Sequence, residues 1–189
     1  MTGALGPGGA RPAGRALVAV LIALGGFLAA CAGASPAGRA PEPLPTARST
    51  ASPAVQATLV QVDGALRATG LVLESALRAI RPAEPPSFKG VARWPFQAVL
   101  PDDPAGGYFV IYEFPDLALA ADAGRDLAAY ITSGPGRVQF PPDARFVIRQ
   151  VGSTLVFFAW SPASSPDPKT PDLAAALASV GSEVPIPRG

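Results

Sequence analysis

Residues Tyr108 to Phe114 read Tyr-Phe-Val-Ile-Tyr-Glu-Phe, and only Glu113 interrupts the apolar run. The run is short, bounded by glycine and proline, and built of aromatic and β-branched residues. That combination specifies a strand rather than a helix. Because nearly every position is apolar, the strand belongs in the interior of a sheet, and the rest of the chain has to be arranged around it.

Its neighbours follow in sequence. Ala92 to Leu100 reads as a second strand. Proline cannot donate to a strand ladder, so Pro95 confines it to an edge or to its own first half. The intervening Pro101-Asp102-Asp103-Pro104-Ala105-Gly106-Gly107 has hairpin-loop chemistry. A second hairpin is read in Arg145–Gln150 and Thr154–Trp160, which flank Val151-Gly152-Ser153. Arg145 and Arg149 share a wetter face of the first of these strands and suggest an edge, whereas Leu155-Val156-Phe157-Phe158 reads as buried on both faces.

Three segments have helical spacing. Ala54–Thr69 brings Val55, Leu59, Val62 and Leu66 onto one face, with Gly70 placed as a terminating glycine. Asp116 can cap a helix over Leu117–Ser133, with Leu117, Ala120, Gly124, Leu127 and Ile131 on one side. Asp172–Val180 is a short alanine-rich helix stopped by Gly181. Leu71–Leu77 reads either as a strand or as continued helix to Ile80; Pro82, Pro85 and Pro86 end it in both cases. The final segment carries Pro185 and Pro187, so a last strand there is short.

From Tyr108 onward the order is strand, helix, strand, strand, helix and a weak strand. This order resembles the ferredoxin-like split βαβ unit. In that fold a fourth strand lies beside the first. Here Ala92–Leu100 is expected to take that place, because prolines break the final strand. The expected fold class is therefore α+β: a largely antiparallel four- to five-stranded sheet with helices packed on one face, formed by one domain over residues 54–189.

The N-terminus has a different character. Ala16 to Ala30 is an apolar run of about fifteen residues preceded by Arg11 and Arg15. A membrane-spanning helix needs about twenty such residues, so the run reads as a signal peptide, residues 1–30, and not as a span. The residues that close it, Leu28-Ala29-Ala30-Cys31, resemble the lipobox of bacterial lipoproteins. That resemblance implies a diacylglycerol group on the Cys31 sulfur, acylation of the freed amine, and an exported, lipid-anchored protein at the cell membrane or envelope. Residues 31–53 are rich in proline, alanine and serine and read as an extended spacer. Loss of the two leader arginines takes the formal charge from +1 to about −1. No basic block is present, which argues against a nucleic-acid partner. Cys31 is the chain's one cysteine, so the exported domain is stabilised without a disulfide.

The chemistry available is narrow. The chain contains no histidine, which removes the usual general base near neutral pH, the commonest metal ligand and every histidine-dependent triad. Gly134-Pro135-Gly136 lacks the lysine and spacing of a phosphate loop. Asp102 and Asp103 read as a solvated turn, since a calcium site needs further oxygen ligands. Glu113 and Asp116 read as a surface residue and a helix cap before a catalytic pair. Arg137, Arg145 and Arg149 are candidates for gripping an anion. The aromatic residues of the two apolar strands fill a core, and those on an uncovered sheet face can line a binding surface; the candidate ligand face comprises Tyr112, Arg145, Arg149 and Trp160. No cofactor, metal or catalytic residue is assigned. The leading expectation is a membrane-anchored envelope lipoprotein, held by membrane lipid through Cys31, whose domain is a non-catalytic interaction or scaffolding module for an envelope protein. The alternative is a small-ligand or anion-binding module on the exposed sheet face. A hydrolase using carboxylates or a serine such as Ser161 ranks last.

Overall fold

The structure is a computed structural model that describes residues 51–76, 81–104 and 106–187; the leader, Cys31 and the spacer as far as Thr50 lie outside the described residues. The elements are α1 (Pro53–Ala68), β1 (Val72–Ser75), a 3₁₀ turn (Pro86–Phe88), β2 (Ala92–Val99), β3 (Tyr108–Glu113), α2 (Leu117–Thr132), α3 (Gly134–Arg137), β4 (Arg145–Val151), β5 (Thr154–Trp160), α4 (Thr170–Ala178) and β6 (Ser182–Glu183). The strands form one antiparallel sheet in the order β1-β2-β3-β5-β4-β6.

The sheet thus has six strands, not four to five. Both additions are short edge strands. β1 is strand and not continued helix, because Gly70 (φ +76°) turns the chain out of α1 and Val72–Ser75 then pairs with Val99–Phe96 of β2. β6 pairs with the outer side of β4, through Arg149–Glu183 and Gln150–Ser182. A ferredoxin-like fourth strand would instead lie beside β3, where β2 stands. Pro95 is accommodated because the β1 ladder starts at Phe96. Among the described residues the half of β2 that contains the proline has no partner strand on that side.

α1 starts where Ser52 accepts a hydrogen bond from the Val55 N–H and Pro53 occupies the first turn, a placement that sacrifices no helical hydrogen bond. α2 starts in the same way, with Asp116 accepting from the Leu119 N–H at 2.7 Å. Gly134-Pro135-Gly136 ends α2 by beginning a separate turn, α3, capped by Ser133.

The largest correction concerns the layers. Strands β3 and β5 are apolar on both faces, and both faces are covered. α1 and α4 lie over one, where Val62, Leu66, Leu173 and Leu177 meet Phe109, Ile111, Val156 and Phe158. α2 lies over the other, where Leu127 and Ile131 meet Val110, Tyr112, Leu155 and Phe157. The helices are therefore on two faces, not one. The physical reason is the side-chain alternation of the strand: Phe109 and Ile111 point one way, Val110 and Tyr112 the other, and neither pair tolerates water. α2 presents Ala120, Gly124, Leu127, Ala128 and Ile131 to the sheet, but Leu117 remains 64% exposed.

Two glycines test the turn geometry. Gly152, in the β4–β5 turn, has φ +58° and open space around it; Gly181, between α4 and β6, has φ +50° and would place a Cβ 2.1 Å from the Gln150 carbonyl oxygen. Gly152→Ala pays only the left-handed conformation, about 1 kcal/mol. Gly181→Ala pays that and a backbone clash as well, so its loss in urea unfolding is expected to be clearly the larger. Equal losses would show that β6 does not dock as described.

Candidate functional site

The four residues of the expected ligand face do not come together. Arg145, Arg149 and Trp160 lie on the α1/α4 side of the sheet. Tyr112 lies on the α2 side and is fully buried. Arg145 stacks on Trp160, its strand partner, with the guanidinium carbon 5.3 Å from the ring centroid. Arg149 is committed to the backbone: Nε donates to the Val180 carbonyl at 2.7 Å and Nη2 to the Gly181 carbonyl at 2.9 Å, with Glu183 at 3.9 Å. It closes the C-terminal end of α4, as a cation is well placed to do, and is not free to grip an anion. Arg137 binds the Pro142 carbonyl.

Tyr112 belongs to a buried polar cluster that sequence reasoning missed. Its hydroxyl donates to Glu84 Oε1 at 2.9 Å. Arg93 donates to the same carboxylate in bidentate fashion, Nε to Oε1 at 2.7 Å and Nη2 to Oε2 at 2.5 Å. It also donates to the carbonyls of Phe88 and Val91. The Glu84 side chain is only 3% exposed. Burial alone would raise its pKa; the hydrogen bonds from Arg93 and Tyr112, with the charges of Arg93 and Arg81, outweigh burial and hold it below the ordinary value of 4.5. Burial, then the adjacent carboxylate, push the Tyr112 hydroxyl pKa up. The cluster ties the 84–91 segment across β2 and β3 and places Phe88 edge-on against Tyr112. Arg93 directly follows Ala92 at the start of a strand and Glu84 sits among prolines, so neither had a local pattern that announced the pair.

The remaining candidates have structural partners. Glu113 accepts from the Trp94 indole at 3.2 Å, and Asp116 caps α2. Asp102 and Asp103 donate their backbone N–H groups to the buried carboxylate of Asp167, which also accepts from the Lys169 N–H. Burial acts to raise the Asp167 pKa, and these three bonds together with the Lys169 charge more than reverse it. Ser161 donates to Asp143 at 2.7 Å. The Ala163 N–H and then this hydroxyl lower the Asp143 pKa, which makes Asp143 a weak base for activating a serine. Among the described residues no group of three or more acidic or thiol side chains is placed to hold a metal ion, and no helix is long and apolar enough to cross a membrane.

A surface open to a partner lies where β3 leads into α2. Two adjoining hollows share Val91 and Phe114. One, of about 310 Å³, is floored by Phe88, Val91, Phe114, Leu119 and Ala123 and edged by Asp122 and Asp126. The other extends past Pro115 and Glu113 to Lys89. Leu119 is 47% exposed and Leu117, on the same first turn of α2, more so. Comparison of the chain with protein-family models, with curated proteins and with solved structures finds no match.

The polar cluster yields a prediction. Glu84→Gln leaves a largely buried Arg93 without its counter-charge and is expected to cost about 3 kcal/mol at neutral pH, against about 1 kcal/mol for Tyr112→Phe. Because the folded pKa of Glu84 is depressed, its contribution is complete above the ordinary 4.5 and is lost as pH falls through the folded value. The gap in melting temperature between wild type and Glu84→Gln should therefore be constant near neutrality and close on acidification. A gap independent of pH would refute the ion pair.

Proposed function

We propose that the chain is a lipid-anchored protein of a bacterial cell envelope, exported and held to the membrane through Cys31, whose α+β domain is a non-catalytic protein-interaction module. The observation that carries the interaction reading is the apolar groove around Phe114 and Leu119. Solvent-exposed leucines on the first turn of a helix, next to a hollow floored by Phe88, Val91 and Phe114, are the composition of a docking surface rather than of an inert one. Its described lining is acidic: Glu113, Asp122 and Asp126 stand against Lys89 as the one cation among the described lining residues. The partner is accordingly a short apolar segment flanked by lysine or arginine. The anchor rests on the lipobox resemblance of Leu28-Ala29-Ala30-Cys31, and the spacer supplies reach between membrane and domain.

The catalytic alternative has less support, since Ser161 is buried against a carboxylate of lowered pKa. An anion site on a bare sheet face has less support, since helices pack on both faces of the sheet.

A photo-crosslinking residue placed at Leu119 of the full chain in cells should yield one discrete adduct. The yield should fall about tenfold when Asp122 and Asp126 are both changed to lysine, the size of effect that reversing a complementary rim produces. Cys31→Ser should move the protein out of the membrane fraction or leave its precursor uncleaved. Diffuse or absent adducts would overturn the interaction reading. Normal processing and membrane retention of Cys31→Ser would overturn the anchor.

A further inference from the structure

The opposite end of β3 holds a second feature that the interaction reading does not use. Where β3 begins and β5 ends, Asp103, Gly106 and Gly107 on one side and Ser165 and Thr170 on the other border a half-open cavity of about 220 Å³. Its apolar wall is Leu100, Phe158 and Trp160, with the Tyr108 ring beside them. Its polar side chains are Asp103, Ser165 and Thr170. Thr170 is 2% exposed, and its Oγ1 has no hydrogen-bond partner. A buried hydroxyl without a partner is costly, and native proteins keep few of them.

Contacts hold the described residues on both sides of this cavity. Asp167 takes the N–H groups of Asp102 and Asp103 from one loop and of Lys169 from the other, so a single carboxylate clamps both walls. Gly107 (φ +70°) brings its backbone so close to β2 that a Cβ would lie 2.2 Å from the Ala98 carbonyl oxygen. The cavity is therefore preformed.

We propose that this cavity binds a small organic ammonium ion. The described side chains that line it offer the Asp103 carboxylate, the hydroxyls of Ser165 and Thr170 and the rings of Tyr108, Phe158 and Trp160; none of them is positively charged, and the nearby Arg145 is taken up in stacking on Trp160. Carboxylate, hydroxyl oxygen and ring face all favour a cationic donor. Asp103 is half-buried and forms no ion pair among the described residues, so its carboxylate is available to a cationic ligand. A donor hydrogen of the ligand satisfies Thr170 Oγ1, and its carbon skeleton rests on Phe158 and Trp160. The volume falls below the roughly 300–1,000 Å³ of sites for drug-sized molecules, which limits the ligand to one compact amine.

The test uses the intact domain with its native loops and follows amide chemical shifts of Gly106, Gly107 and Ser165 during titration. The probes are 2-phenylethylammonium, its neutral analogue 2-phenylethanol and the anion 3-phenylpropanoate. The ammonium should bind saturably, with affinity at least about tenfold above either control, the advantage a charge-assisted contact gives. Asp103→Asn should weaken it about tenfold or more. Thr170→Val should weaken it while leaving the melting temperature unchanged or raised, because it removes a hydroxyl that the folded domain does not satisfy. No saturable shift, equal binding of the three probes, undiminished binding by Asp103→Asn, or a melting temperature lowered by Thr170→Val would each overturn the proposal. The Leu119 crosslink tests a different surface, so the two readings stand or fall separately.

Discussion

The strand Tyr108–Glu113 is apolar on both sides, and a chain with one cysteine has no internal disulfide to compensate for any exposed core. Water must therefore be kept from Phe109 and Ile111 on one face and from Val110 and Tyr112 on the other. Each fully buried aromatic or aliphatic side chain contributes about 1.5–3 kcal/mol, so leaving either face open would forfeit a large part of a net stability of only 5–15 kcal/mol typical of domains this size. The layers follow from that requirement. α1 and α4 close one side, and α2 closes the other together with the 84–91 segment. That segment is irregular, and irregular chain adheres poorly to a sheet by apolar contact alone. The Glu84–Arg93–Tyr112 cluster supplies the attachment, and the Tyr112 side chain is at once core residue and hydrogen-bond donor.

Much of this was legible locally. The α1, α2 and α4 segments, both hairpins, the Asp116 cap and the interior position of β3 all follow from spacing and turn chemistry, because each is specified by residues within a few positions of one another. The layer count was not legible. The consecutive apolar positions of Tyr108–Tyr112 and Leu155–Phe158 already demanded two covered faces, yet the order of elements from Tyr108 suggested a one-sided arrangement. Burial pattern is the stronger constraint, since a topology can be rearranged and an exposed Phe157 cannot be hydrated cheaply. The edge strands were weak for a related reason: Val72–Ser75 and Ser182–Glu183 exist only by pairing with β2 and β4, and pairing across the chain leaves no local trace.

The site residues were harder still. Arg145 and Arg149 share a strand face as their spacing implies, but whether an arginine is available depends on which carbonyls lie near it. Arg149 is satisfied by Val180 and Gly181, about thirty residues away in sequence. Asp102 and Asp103 looked like plain turn residues, and their backbone does serve a turn. What spacing could not reveal is that Asp167 draws that turn against the start of α4 and so shapes a cavity.

Covering both faces also decides where function can reside. A sheet with one bare face offers that face to a ligand, whereas this sheet is covered over β3, β5 and β4 on both sides. What remains accessible is the periphery, where strands give way to loops. There the backbone is already satisfied by caps and clamps, and side chains are released from packing. The two candidate surfaces occupy the two ends of the same central strand, the groove beyond Glu113 and the cavity before Tyr108. The strand that is least able to tolerate water thus sets the spacing between the two proposed sites. Its rigidity keeps each surface formed whether or not the other is occupied, which favours independent binding over coupling between them.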